Sequence, residues 1–167
     1  DIYELLSTDI NNYYLAATYD THVVSYLNFK HGTQKEEYEK YNKEVLGMEK
    51  PDEYFQMGVC LYNVKAINSN FDQNYLISEA VKEKLRWLDQ DLINKLFYGK
   101  IKYIDNNWNV MVCNNYPFLD EAYLPEELKI KYYNARLNPY IIHYIGKSIP
   151  CLTMKPDLWT IFWKYAR

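Results

Sequence analysis

Short runs of β-branched and aromatic residues alternate along this chain with longer stretches in which apolar residues recur every three or four positions. Runs of the first kind are typical of strands, and the second spacing is typical of helices that pack on a core. The predicted strands are 12–20, 55–64, 100–104 and 140–145. Because helical stretches separate these strands, the sequence predicts an α/β layered domain.

Helical spacing covers residues 23–45 and 76–96, with an interruption near Asp89. A further helix is predicted after Pro125, since proline and then two glutamates suit a helix N-terminus. The last stretch, 156–167, is the most clearly amphipathic and predicts a C-terminal helix. That helix either packs on the domain or presents its aromatic face to a membrane surface or a lipid-linked acceptor.

Bulk composition restricts the class of protein. A chain of 167 residues fits one domain, and it has no apolar run near the roughly 20 residues that a membrane helix needs. A net charge of -3 argues against a protein that binds the nucleic-acid backbone. The three cysteines lack the spacing of a zinc or redox site, so reduced thiols in a cytoplasm are expected.

The motif WLDQDLIN places one carboxylate on each side of Gln90. Successive helical side chains are about 100° apart, so the three polar residues cannot share one face. Taken alone, Asp89 is most simply a helix N-cap. Gln90 then lies at an exposed helix start, where polar groups often meet ligands.

Three further residues have both a structural and a functional interpretation. Gly58, early in a predicted strand, marks either a bulge or the close approach of a ligand. Asp20 ends a strand, where it is either a turn residue or part of a site at the strand ends. His143 is by itself more often a satisfied core histidine than a metal ligand, and the following Gly146 and Lys147 lack P-loop spacing.

In chain order, these motifs resemble those of the family 8 glycosyltransferases, which are retaining enzymes that use nucleotide sugars. The family's Tyr-Phe-Asn-(Ala/Ser)-Gly-Val resembles YFQMGVCLYN (54–63), and its Asp-Gln-Asp-x-x-Asn resembles DQDLIN (89–94). Its Ile-His-aromatic-x-Gly resembles IIHYIG (141–146), and the segments 1–20 and 162–167 resemble other parts of the family. The resemblance implies a GT-A fold, with a mixed sheet flanked by helices.

The resemblance further implies that residues 1–167 form the C-terminal part of one glycosyltransferase domain. The nucleotide-binding half, with the Asp-x-Asp that holds the metal, is expected before Asp1. We therefore expect this segment alone to be inactive.

Each matching residue acquires an implied role. His143 corresponds to a ligand of Mn²⁺, or of another divalent cation, that bridges the diphosphate. Gln90 corresponds to a catalytic glutamine under the reacting face of the sugar, and Asp89 to the carboxylate that holds sugar hydroxyls. The residues expected to bind substrate are Asp20, Gln56, Gly146 and Lys147.

Three positions depart from the family pattern. Gln56 replaces an asparagine, Met57 replaces a small residue, and Ile149 stands where a lysine is expected. Lys147, two residues earlier, is the alternative cation for the diphosphate.

The expected function is the transfer of a hexose from a nucleotide sugar, a UDP-sugar, to a saccharide or lipid-linked saccharide acceptor in bacterial lipopolysaccharide biosynthesis. The expected location is the cytoplasm or the inner face of the membrane. A degenerate relative that binds carbohydrate or nucleotide without catalysis is the main alternative. The third alternative is an α/β interaction domain in which the motifs are coincidental.

Overall fold

The computed structural model describes residues 1–28, 33–82, 85–112, 123–146, 148–152 and 158–166. A mixed three-stranded sheet has the order β2-β1-β3, and a second sheet pairs β4 with β5. The strands are β1 Leu15–Tyr19, β2 Phe55–Tyr62, β3 Ile101–Tyr103, β4 Val110–Val112 and β5 Ile142–Tyr144. The helices are α1 Tyr3–Leu6, α2 Thr21–Leu27, α3 Thr33–Glu44, α4 Val64–Asn70, α5 Gln73–Lys82, α6 Leu88–Phe97, α7 Glu126–Leu137 and α8 Trp159–Tyr165.

Strand β1 is the centre of the larger sheet. It runs antiparallel to β2 and parallel to β3, and Leu15, Ala16, Ala17 and Thr18 are all completely buried. A strand covered on both faces reads as a near-continuous run of apolar residues, as LAAT does here. The α/β class and the mixed sheet flanked by helices are therefore confirmed.

Strand β2 carries a bulge where it pairs with β1. Ala17 is opposite Cys60, but the next residue, Thr18, is opposite Gln56. Residues 57–59 therefore have no partner in the β1 register, and they bend the strand. This three-residue segment is called the β2 bulge below.

The core beside β1 contains an aromatic cluster and a buried amide. Phe97 packs on Tyr14 and Phe71, with ring centroids 5.1 and 5.2 Å apart, beside the apolar side chains of β1. The fully buried amide of Asn94 fixes α6 to β2, because it accepts the Phe55 N–H and donates to the Phe55 carbonyl, both at 2.9 Å. These contacts set the distance between the start of α6 and the β2 bulge.

The four predicted strands are confirmed, with ends that lie at most three residues inside the predicted ones. Strand 55–64 ends early because the Asn63 side chain accepts the Ala66 N–H (3.0 Å) and caps α4, a helix that the sequence reading missed. Strand β4, over Val110–Val112, was also missed.

Predicted helix positions are also largely confirmed. The interrupted stretch 76–96 is two helices, α5 and α6. Pro125 is the N-cap of α7, just outside its first turn. The C-terminal helix is confirmed over Trp159–Tyr165, while 153–157 and 167 lie outside the described residues. Within the described ranges, no helix combines the length and the apolar character needed to cross a membrane.

Candidate active site

The β2 bulge brings together polar residues that are far apart in sequence. On one side, the Met57 N–H donates to Gln90 Oε1 at 3.1 Å. On the other side, Gly58 lies against the ring of His143 so closely that an added Cβ would be 2.2 Å from His143 Cε1. Gln90 and His143 are thus attached to adjacent residues of one strand.

The amide of Gln90 also contacts the end of β1. Its Nε2 donates to Asp20 Oδ2 at 3.1 Å and to Tyr54 Oη at 3.3 Å. The other oxygen of Asp20 accepts the Val23 N–H (3.0 Å) and caps α2. One oxygen of Asp20 thus caps α2 where the strand ends, and the other accepts a hydrogen bond from Gln90, while its role in a substrate site stays a prediction.

Asp91 anchors this side of the site, although the sequence motif around it assigns it no role. The side chain is completely buried and accepts three hydrogen bonds, from Tyr41 Oη (2.6 Å), Tyr54 Oη (2.6 Å) and the Trp87 N–H (2.7 Å). We call these four groups the carboxylate network. Burial, with the charge of Asp91 adding to it, raises the pKa of Tyr41 to about 12 and raises that of Tyr54 further.

The prediction that Asp89 is a helix N-cap is wrong. Helix α6 begins at Leu88, its N-cap is Trp87, and that cap makes no side-chain hydrogen bond. Asp91 instead accepts the Trp87 N–H, while Leu88 takes a left-handed conformation with φ 47°. Asp89 is exposed in the first turn of α6, where its Oδ1 accepts the Gln90 N–H at 3.1 Å.

His143 is half-buried on β5, with its Nδ1 3.1 Å from Asn109 Oδ1. Burial lowers the pKa of His143, because removal from water disfavours the charged imidazolium. A neutral imidazole with one nitrogen engaged is the form in which histidine binds metals. The histidine is therefore hydrogen-bonded, as a structural residue would be, and still suited to ligation.

Gln56 lies between the β2 bulge and His143 and is 9% exposed. Its Oε1 accepts the Gly58 N–H and Asn109 Nδ2, both at 2.6 Å, so both lone pairs are used within the protein. We call Gly58, Gln56, Asn109 and His143 the amide network. No sequence pattern singled out Asn109, whose place between Trp108 and Val110 in a short turn gives little indication of its contacts.

Gly146 follows β5 in a turn closed by the Ser148 N–H, which donates to the Ile145 carbonyl at 3.1 Å. Its φ of 60° is left-handed and explains the glycine on structural grounds. Lys147 lies outside the described residues. Among the residues that are described, no group of three or more His, Cys, Asp or Glu side chains is placed to hold a metal ion.

Comparison with known proteins decides what this arrangement belongs to. A model of glycosyl transferase family 8 matches residues 1–153. The chain belongs to glycosyl transferase family 8. A relative in Haemophilus influenzae, described as a putative glycosyltransferase, is 32% identical over 108 residues, which are 64% of this chain and 29% of the relative.

Solved structures agree with this family 8 assignment. The apo structure of the bifunctional glycosyltransferase WbbM has a TM-score of 0.82 and 29% identity, covering 98% of this chain and 30% of WbbM. An active-site mutant of LgtC, in which glutamate replaces a glutamine, has a TM-score of 0.62 and 25% identity, covering 98% of this chain and 56% of LgtC. The expected GT-A-type fold is thus confirmed, and the chain spans less than two thirds of the length of each of these relatives.

Proposed function

We propose that this chain forms part of a retaining glycosyltransferase that moves a hexose from a UDP-sugar to a saccharide acceptor, and that the β2 bulge is one wall of its active site. The observation that carries this proposal is the meeting of Asp20, Gln90 and His143 around the bulge. A coincidental set of motifs has no reason to converge in this way.

Gln90 is the proposed catalytic residue. The Met57 N–H and Asp20 fix the direction of its amide, and one lone pair of its oxygen remains for positive charge that develops on the sugar. Exposed Asp89, one residue earlier, is suited to accept hydrogen bonds from sugar hydroxyls. The LgtC mutant supports this assignment, since its description places a glutamine in the active site of that relative.

The residues of this chain fit one ligand of a divalent cation, Mn²⁺ in our proposal. Burial lowers the pKa of His143, which favours the neutral imidazole, and Asn109 engages only its Nδ1. A bound cation would supply charge neutralisation at the diphosphate leaving group. The left-handed turn at Gly146 suits close approach to that diphosphate, and Lys147 is the proposed cation beside it.

The remaining metal ligands are proposed to be aspartates of a nucleotide-binding segment outside these 167 residues. On this proposal, residues 1–167 are the C-terminal part of one domain and do not turn over a nucleotide sugar by themselves. Adding the segment in the same chain is expected to restore turnover, which a radiolabelled UDP-sugar assay measures.

The experiment that tests the function compares His143→Ala and Gln90→Ala in the full-length protein. Each is expected to lower UDP-sugar turnover by at least about 100-fold, more than the 10- to 100-fold typical of outer-shell changes. Lys65→Ala, on the exposed surface of α4, is the matched control and should leave turnover unchanged. Unchanged turnover in His143→Ala would contradict the assigned role.

A second candidate is a relative that binds its ligands without catalysis. It is favoured by Gln56, whose oxygen is fully engaged within the protein, and by Met57, which stands where the family has a small residue. Calorimetry with UDP and Mn²⁺ distinguishes the two candidates. Metal-dependent binding without turnover supports the second, and turnover excludes it.

We propose a cytoplasmic location, with α8 in contact with the inner face of the membrane. The helix exposes 40% of Trp163 and 86% of Tyr165, and aromatic residues of this kind lie well at the lipid interface. Co-sedimentation of the full-length protein with anionic vesicles tests the contact. Trp163→Ser should weaken binding if the helix is the contact, and equal binding by both proteins would exclude it.

A further inference from the structure

Three hydrogen bonds connect the backbone of the β2 bulge to His143. The Gly58 N–H and Asn109 Nδ2 both lie 2.6 Å from Gln56 Oε1, and Asn109 Oδ1 lies 3.1 Å from His143 Nδ1. Gln56 and Asn109 are 9% and 2% exposed, so water does not compete strongly for these partners. The amide network therefore determines how the imidazole is held.

The direction of the network is fixed at its first member. A peptide N–H can only donate, so the Gln56 atom beside Gly58 must be the side-chain oxygen. Asn109 must then present its NH₂ group to that same oxygen, which leaves its own oxygen for the imidazole. A carbonyl oxygen can only accept, so the facing nitrogen of His143 carries the hydrogen.

We propose that Gln56 and Asn109 are positioning residues that hold His143 in the tautomer with hydrogen on Nδ1, so that the Nε2 lone pair is available to a divalent cation. This inference rests on the proposed role of His143 as a metal ligand. A free neutral histidine in water favours the opposite tautomer, with hydrogen on Nε2. The protein therefore selects the form that leaves Nε2 able to ligate.

Steric contact complements the hydrogen bonds. A Cβ at position 58 would be 2.2 Å from Cε1 and 2.5 Å from Nδ1 of His143, so only glycine leaves room for this ring position. The same glycine supplies the N–H that orients Gln56. One residue thus sets both the position of the ring and, through two amides, its tautomer.

The family resemblance expects asparagine at position 56, and the longer glutamine departs from it. In this chain Gln56 reaches both Gly58 and Asn109 with a single oxygen. The departure therefore has a role within the site that does not require contact with a sugar.

The test reads the tautomer directly. The full-length protein is labelled with ¹⁵N-histidine, the His143 signals are assigned with His143→Gln, and the imidazole nitrogens are observed by NMR without metal at a pH where the ring is neutral. The wild-type protein should show hydrogen on Nδ1. Gln56→Met keeps the length but removes the acceptor, and it should shift the ring toward hydrogen on Nε2.

Gln56→Glu is the matched control, because it keeps an oxygen acceptor at the same position and should retain the Nδ1–H form. Titration with Mn²⁺ alone should show affinity lowered about 10- to 100-fold in Gln56→Met and a smaller change in Gln56→Glu. If circular dichroism shows that Gln56→Met does not fold, Asn109→Leu removes the same link with little change of shape.

The outcomes separate this inference from the proposed function. A wild-type ring with hydrogen on Nε2, or a Gln56→Met protein that keeps both the Nδ1–H form and its Mn²⁺ affinity, would overturn the inference. A wild-type ring with hydrogen on Nδ1 in a protein that does not bind Mn²⁺ would support the tautomer selection and count against the metal site.

Discussion

The carboxylate network and the amide network flank the same bulge but use different chemistry. The first buries the charge of Asp91 completely and surrounds it with three donors. The second links only neutral groups, from the Gly58 N–H to His143. A buried charge is costly to leave unpaired, whereas a chain of neutral amides mainly fixes directions. We therefore expect the first network to dominate stability and the second to determine the state of one side chain.

Asp91→Ala is the strongest test of whether the carboxylate network dominates stability. Removing the carboxylate leaves the buried Tyr54 hydroxyl, the partly buried Tyr41 hydroxyl and the Trp87 N–H without their acceptor. The expected loss in the free energy of unfolding is about 3–5 kcal/mol, measured by urea denaturation. The matched control is the exposed neighbour Asp89→Ala, which should change stability by less than about 0.5 kcal/mol. Equal losses in both variants would contradict the comparison.

A smaller loss is expected from crowding the amide network with Gly58→Ala. The new methyl group must displace the ring of His143, because the ideal Cβ position is 2.2 Å from Cε1. Overpacking of this kind costs about 1–3 kcal/mol. Urea denaturation gives the loss, and the His143 imidazole signals should move in the same variant. Unmoved signals would mean that the strand, not the histidine, yields to the methyl group.

Alkaline pH should distinguish the two networks. The pKa of Tyr41 is raised from 10.0 to about 12, chiefly by burial and also by Asp91. The stability due to protonated Tyr41 is thus fully present below pH 10 and is lost as pH rises from 10 through about 12, since the unfolded chain releases the proton first.

Urea denaturation on both sides of that range should show a smaller decrease for Tyr41→Phe than for the wild-type protein. The comparison between the two proteins isolates Tyr41 from the other tyrosines with raised pKa values, Tyr54 among them. A decrease of the same size in both proteins would show that Tyr41 does not contribute.

The smallest effect is expected for Gly146→Ala, beyond the end of the amide network. No described atom lies within 4 Å of an added Cβ there, so the cost comes only from the left-handed φ of 60°. About 1 kcal/mol is expected. A loss as large as that of Gly58→Ala would show that space, and not backbone conformation, limits this turn.

Sequence alone predicted the fold class and the approximate place of most strands. Apolar runs predict the two longer strands, Leu15–Tyr19, in which four of five residues are buried, and Phe55–Tyr62. The strand Val110–Val112 was missed, whereas Ile101–Tyr103 and Ile142–Tyr144, equally short, were predicted from the longer runs that contain them. The N-cap role of Asn63 was not predicted either, because the change from strand to helix depends on one side-chain hydrogen bond.

Parts of the site could be predicted because their residues lie in contiguous sequence motifs. Gln90 and His143 were singled out in this way, and the structure connects them to one bulge. Asp91 and Asn109 were not given roles, because their partners are tens of residues away: Asp91 contacts Tyr41 across 50 positions. Asp89 was misassigned as a cap because a left-handed residue before it starts the helix, and no propensity predicts that conformation for leucine.

The left-handed conformation of Leu88 bears on local unfolding. This side chain is 74% exposed, and a φ of 47° costs leucine about 1–2 kcal/mol, so little packing at this residue compensates for the conformation. Opening the turn before Gln90 therefore releases energy that opening the middle of α6 does not. The hydrogen bond from the Trp87 N–H to Asp91 therefore holds a turn whose own conformation is unfavourable, and amide exchange at Trp87 should accelerate more than exchange at Asn94 when Asp91 is replaced by alanine.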